Sequence, residues 1–440
     1  MKNKRCKVEK YIIIPGSSDL NRGDQALAWE TKEIANGAGF NGAFSLVAEQ
    51  SEPVFQSEKE GYNILTPVLE HPSRFFQSKE NINYNLWIKI KWGMVAVYDL
   101  LISLGLLTKF GRNFYRKVSK NNNKKNTLIE FEEAQAIFMK GGGLIQSHGG
   151  LLSTYATYYR VYHILFAQSL KKDVYIMPNS FGPFEGPFVK KIVKKAFHGC
   201  KFISVREEKS HQVVKKELKM NFPVYPDLAF YLKAEEITKR ELFLKYDIPF
   251  DAITVAITMR PYRFPNAENP EKSYSKFKSE MASLIDALSI KGYLPVIIEH
   301  THAITTHEND GETIQEVLKL VKNDTKYKFI SNPNINCRQL KSVYKHCNYI
   351  IGTRFHSLIF SLSEYVPGIA ISYDGYKSIG IMKDMELEEY VVDIGDVTKD
   401  KLEEMFKSVI ENEEEIKERI RVYKIKAEKM KINLINSIKE

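Results

Sequence analysis

Residues 348–381 read NYIIGTRFHSLIFSLSEYVPGIAISYDGYKSIGI. Asn348 to Ile351 is a compact apolar strand, and Gly352-Thr353-Arg354 breaks it. Phe355, Leu358, Ile359 and Leu362 then recur at helical spacing, and Pro367 closes that helix. Gly368 to Tyr373 reads as the next strand. Strand, helix and strand at this length imply a parallel βαβ unit. Open α/β sheets bind ligands at the carboxyl ends of such strands. Gly352, Arg354, His356 and Lys377 all fall at those ends. A helix start also presents unpaired N–H groups to anything negative. Two cations, an imidazole and a helix start together predict an anionic substrate that undergoes proton transfer.

Working outward, strand–helix alternations continue in both directions. Tyr11–Ile14, Asn63–Val68, Ala134–Met139, Asp173–Met177 and Phe202–Val205 read as strands of a first domain, residues 1–232. Ile253–Thr258, Leu294–Ile298, Tyr327–Ser331 and Val391–Ile394 join the opening unit in a second domain, residues 233–440, which ends in a Glu/Lys-rich helix. Lys233–Pro249 reads as a charged helical linker. The expected fold is α/β: two Rossmann-like domains, with ligand bound in an interdomain cleft.

The chain has 440 residues, 43% hydrophobic, which supports large cores. Lys and Arg exceed Asp and Glu by 64 to 54. That excess suits an anionic substrate or surface. No zinc finger or basic–aromatic helix points to nucleic acid. Four cysteines at 6, 200, 337 and 347 form no CxxC, so reduced thiols in a cytoplasmic protein are expected. No run reaches the 18 or so apolar residues of a membrane span. A helical insert near 75–126 stands apart. Ile88–Leu107 is strongly apolar, and Arg112–Lys125 is densely basic. Residues 88–125 therefore read either as a hairpin packed on the first domain or as a peripheral contact with the inner face of an anionic membrane.

Other candidates also lie at strand ends. Asn21-Arg22-Gly23-Asp24 follows the first strand; Asp24 reads as a helix N-cap, or Asn21 and Asp24 contact ligand hydroxyls. Gly141-Gly142-Gly143 reads as a loop that lets backbone approach a ligand. Pro178 to Pro183 reads as the loop after a strand. Arg206 and Arg260 each end a strand. His300 and His302, with His307, Glu308 and Asp310 nearby, raise the question of a metal; no convincing ligand set emerges, and none is expected.

Seven stretches in order give a resemblance: NRGDQAL (21–27), GGGLI (141–145), NSFGPF (179–184), SVREEKS (204–210), PDLAF (226–230), TMR (258–260) and GTRFHSLIFSL (352–362), followed by Pro367 and SYDGYK (372–377). The chain resembles the polysaccharide pyruvyl transferase family. The resemblance implies a fold similar to GT-B glycosyltransferases with the active site between the domains. It implies phosphoenolpyruvate as donor, a sugar of a cell-surface glycan precursor (free or lipid-linked) as acceptor, a pyruvate ketal as product, and no cofactor. The family's essential His resembles His356, its Lys resembles Lys377, and its donor-binding Arg resembles Arg206. SYDGYK carries one residue more between Asp374 and Lys377 than the family's shorter YDxK form. A GT-B-type nucleotide-sugar glycosyltransferase and a non-catalytic glycan-pathway binding protein are the rival classes.

Overall fold

The computed structural model describes residues 8–16, 18–48, 53–71, 86–150, 152–303, 308–373 and 377–440, without the side chains of residues 86, 88, 89, 377 and 378. The chain divides into two compact units. Unit 1 holds Met1–Asp19, Leu27–Asp227 and Lys431–Glu440; unit 2 holds Leu20–Ala26 and Leu228–Met430. The main break falls between Asp227 and Leu228, and the segments Leu20–Ala26 and Lys431–Glu440 each group with the unit distant in sequence.

Unit 1 carries β1 (Lys10–Ile14), β2 (Ala43–Val47), β3 (Asn63–Leu65), β4 (Ala136–Met139), β5 (Gly142–His148), β6 (Asp173–Glu185) and β7 (Phe202–Val205). All its pairings are parallel, in the order β3-β2-β1-β4-β6, with β5 and β7 also on β6. A sheet covered on both faces needs apolar residues at every position, and AIFM in β4 is buried throughout. The two faces separate by the period of two. Ile12, Ile14, Ile137 and Ile176 join Val161, Ile164 and Phe166 of the helix Ser153–Ser169. Tyr11, Phe44, Phe138 and Tyr175 build an aromatic layer, with Phe138 and Tyr175 stacked 5.1 Å apart.

Unit 2 carries β8 (Thr254–Thr258), β9 (Leu294–Ile298), β10 (Lys328–Ile330), β11 (Tyr349–Gly352), β12 (Gly368–Ser372) and β13 (Val391–Asp393). The sheet is wholly parallel, in the order β10-β9-β8-β11-β12-β13. The chain runs outward from β8 to β10, then returns to β11 beside β8. That is a doubly wound sheet with its switch point between β8 and β11. Lys233–Pro249 is part of this unit rather than a linker: its helix Lys239–Lys245 is closed by a capping box of Thr238 and Glu241.

Candidate active site

The switch point of unit 2 places the TMR and GTRFHS stretches side by side. Thr258 and Gly352 are register partners at the ends of β8 and β11. Thr353 N and Oγ1 both donate to the Thr258 carbonyl, at 3.2 and 3.1 Å. Thr258 Oγ1 and Ser357 Oγ share a hydrogen bond of 2.9 Å. Gly352 leaves room for this contact, since a β-carbon there would lie 3.1 Å from Ser357 Oγ. The helix Phe355–Leu362 therefore starts in a fixed place, with Arg354 as its N-cap and His356 in its first turn. His356 is half-buried.

Arg354, expected to meet substrate, has its guanidinium held within the protein. Its Nε and Nη2 donate to Asp310 Oδ1 at 2.8 and 2.6 Å, and Nη2 also donates to the Glu308 carbonyl at 2.6 Å. Burial opposes the Arg354 charge, but the fully buried Asp310 carboxylate prevails and raises its pKa. Asp310 Oδ2 in turn accepts from Thr301 N at 3.0 Å. Arg354 is thus a positioning residue that ties the His356 helix to β9's exit loop.

The first-strand loop belongs to this same site. Leu20 O accepts from His302 N at 2.9 Å, and Asn21 forms an antiparallel bridge with Thr301. Arg22, buried, donates from Nη2 to the Pro333 carbonyl at 2.7 Å, and Gln25 Oε1 accepts from Cys337 N at 2.7 Å. The helix spans Arg22–Gly37, so Asn21, not Asp24, is its cap. Asn21 Oδ1 accepts from Asp24 N at 3.2 Å, and its Nδ2 donates to Asp24 Oδ2 at 2.8 Å. Both side chains expected to reach ligand hydroxyls bond each other here. Gly23 is the residue that meets His356: a β-carbon on it would overlap the imidazole.

His300 lies deeper. Its Nδ1 shares a 3.1 Å hydrogen bond with Tyr344 Oη, and its Nε2 has no hydrogen-bond partner among the described residues. Burial, then the nearby charges of His356, Arg354 and Arg22, push its pKa well below the usual histidine value. His300 is therefore neutral at pH 7. Its neighbour His302 pairs through Nδ1 with Glu299 Oε1 at 3.0 Å. Among the described residues no three His, Cys, Asp or Glu side chains gather as a metal site, and His307 lies outside them. Arg260 stacks over the Tyr373 ring at 4.0 Å. Lys377 opens the helix Lys377–Asp384 just beyond, but its side chain and residues 374–376 lie outside the described residues.

Unit 1 gathers the remaining stretches at its own site. Gly142 and Gly143 open β5, and NSFGPF runs inside β6, so neither is the loop expected from its glycines and prolines. Only Gly141 lies in the break between β4 and β5. Asn179 Nδ2 spans that break, donating to the carbonyls of Lys140 and Met177 at 2.9 Å each. Arg206 is buried at the end of β7. It donates from Nε to Ser180 Oγ at 2.6 Å and from Nη1 to Asp227 Oδ2 at 2.7 Å. Ser180 Oγ donates to Glu207 at 2.8 Å. Arg206, Glu207, Ser180 and Asp227 thus form one network from three of the quoted stretches.

Comparison with known proteins gives the family and the fold. The model of the polysaccharide pyruvyl transferase family matches residues 21–375. The amylovoran biosynthesis protein AmsJ of Erwinia amylovora is 24% identical over 315 residues, 70% of this chain and 74% of that protein. UDP-GlcNAc 2-epimerase of Neisseria meningitidis, solved with UDP-GlcNAc, superposes with a TM-score of 0.51 at 12% identity, covering 93% of this chain and 94% of that one. UGT2 of Phytolacca americana, solved with UDP-2-fluoro-glucose and pterostilbene, gives 0.52 at 11% identity, covering 97% and 98%. At these identities the structural likeness shows a GT-B-like fold alone.

Proposed function

The chain belongs to the polysaccharide pyruvyl transferase family, and we propose that it builds a pyruvate ketal on a sugar of a surface-glycan precursor, with phosphoenolpyruvate as donor. The observation that carries this reading is the setting of His356. A titratable ring stands in the first turn of a helix at the sheet's switch point, two residues after the capping Arg354 and against Gly23. Such a setting favours a multiply charged anion and a proton transfer.

In this reaction the donor's methylene carbon takes a proton and becomes methyl. One sugar hydroxyl bonds to the neighbouring carbon, phosphate leaves, and a second hydroxyl closes the ketal. One hydroxyl proton ends on the methyl and the other leaves with phosphate. His356 is the acid/base that moves these protons. Arg260 and Lys377 offset the charge of the leaving phosphate. Arg206, the donor-binding Arg by family resemblance, has its guanidinium held in one orientation by Asp227 and Ser180 within unit 1. Neutral His300 beside His356 keeps a second positive charge away from that ring. We place the reaction in the cytoplasm, where phosphoenolpyruvate is made, at the inner face of the membrane. No metal or organic cofactor is needed in this scheme.

Thermal unfolding in the presence of candidate donors tests the reading. Phosphoenolpyruvate raises the melting temperature, and nucleotide sugars do not. Stabilisation by a UDP-sugar alone would instead mark a glycosyltransferase. Binding of glycan without turnover of any donor would mark a binding protein.

A further inference from the structure

We propose that the hairpin of helices Leu86–Leu106 and Lys109–Val118 docks unit 1 on an anionic lipid bilayer. The first helix is apolar on both sides: Ala96, Leu100, Ile102 and Leu106 face the core, and a second apolar set faces outward. Trp87, Ile90, Met94, Val97, Leu101 and Leu104 are exposed at spacings of three and four, Trp87 by 72% and Leu101 by 65%. They form a single outward stripe. The polar Asp99 and Ser103 point inward instead. Ser103 Oγ shares a 3.0 Å hydrogen bond with Tyr158 Oη, and its carbonyl accepts from Tyr162 Oη at 3.1 Å. The second helix adds Phe110, 82% exposed, with Phe114 and Val118 one and two turns on. The helices meet at 117°, and Gly111 permits it, since a β-carbon there would overlap the Gly105 carbonyl.

Charge selects the occupant. Residues 86–125 hold nine Lys or Arg against the single Asp99; Arg112 and Arg116 pair with Glu132, and Lys124 with Glu70. Lys91, Lys109, Lys117 and Lys120 are exposed. A face this basic repels a second copy of itself and is drawn to anionic headgroups. Between the helices and Val68 and Leu69 lies a cavity of about 830 Å³, lined by Leu101, Ile102, Phe114 and Val118 together with Lys120 and Lys124. The apolar walls match a lipid's tail and the exposed Lys120 its phosphate, while Lys124 is paired with Glu70 at 2.6 Å and Asp99 also lines the cavity. The hairpin lies in the interface and does not cross the bilayer. Its inner side is packed on the Ser153–Ser169 helix, and among the described residues no single helix is long and apolar enough to span.

Co-sedimentation of the full chain with vesicles tests this, using phosphatidylcholine alone and a mixture with phosphatidylglycerol. Binding requires phosphatidylglycerol, falls roughly tenfold between low and high salt, and shifts tryptophan emission to the blue as Trp87 leaves water. Leu101→Asp and Phe110→Asp each weaken it at least about tenfold. Both sites are exposed, so the thermal midpoint stays unchanged. The readout needs no donor and is independent of the pyruvyl-transfer reading. Equal binding to both vesicle types, no binding by the folded protein, or a dimer dissolved by Leu101→Asp without vesicle binding would each overturn the proposal.

Discussion

Gly23 faces the imidazole of His356 so closely that no β-carbon fits between them. The two residues are 333 positions apart, and the contact makes the first-strand loop part of the site that holds the histidine. Gly23→Ala must push the ring aside. The expected result is a fold that persists and a turnover number reduced about 10- to 100-fold, because small displacements of a proton-transfer group are costly. Circular dichroism and steady-state kinetics on one preparation check both parts.

Asp310 and Arg354 form a buried pair that anchors the same helix. Asp310→Asn leaves the guanidinium without its counter-charge and is expected to cost about 3–5 kcal/mol in urea unfolding. The double variant Asp310→Asn with Arg354→Met recovers much of that loss, because the uncompensated charge is gone. It remains poorly active, because the tie to β9's exit loop is gone too.

His163 gives the fold an acid sensitivity. Its Nε2 accepts from Val68 N at 3.1 Å, which requires the ring to be neutral. Burial, with Lys124 adding to it, holds the pKa down to about 4, against about 6.5 in an unfolded chain. Unfolding therefore takes up a proton between these values. The contribution of His163 is complete above about pH 6.5 and is lost as the pH falls towards 4, by an amount of order 3 kcal/mol. His163→Gln, which keeps an acceptor, flattens unfolding free energy against pH over that window.

Cys200 and Cys347 are pushed up to about 12 by burial. Thiolate is the reactive form, so both are expected to resist a thiol reagent at pH 8 until the protein unfolds. Peptide mass mapping after brief labelling, with and without denaturant, reads this directly.

Local periodicity was enough for several elements. The helix Phe355–Leu362 and the strand Leu294–Ile298 fall where their apolar spacing puts them. Elsewhere long-range pairing decided the outcome. Nothing near Asn21 announces its bridge to Thr301, and nothing near Arg354 announces Asp310, 44 residues upstream. Glycines and prolines misled at 142–143 and 178–183, because pairing along β6 holds those residues extended despite their local preferences. The strand Ala43–Val47 was missed, although AFSLV after a Gly is a short apolar run of the buried kind. His300 drew attention only as half of a histidine pair. Its role as a buried neutral neighbour of His356 depends on packing that no local pattern encodes.

The central claim is that His356 moves the protons in a transfer from phosphoenolpyruvate to a sugar. The most direct measurement follows carbon-13-labelled phosphoenolpyruvate by NMR, with glycan precursors as acceptors, for the wild type and for His356→Ala. The account predicts acceptor-dependent loss of the vinyl signals, growth of a ketal methyl signal in step with phosphate, and no detectable ketal from the variant. Ketal formation by His356→Ala at near the wild-type rate, or an intact vinyl signal with every acceptor while a nucleotide sugar is consumed, would contradict it.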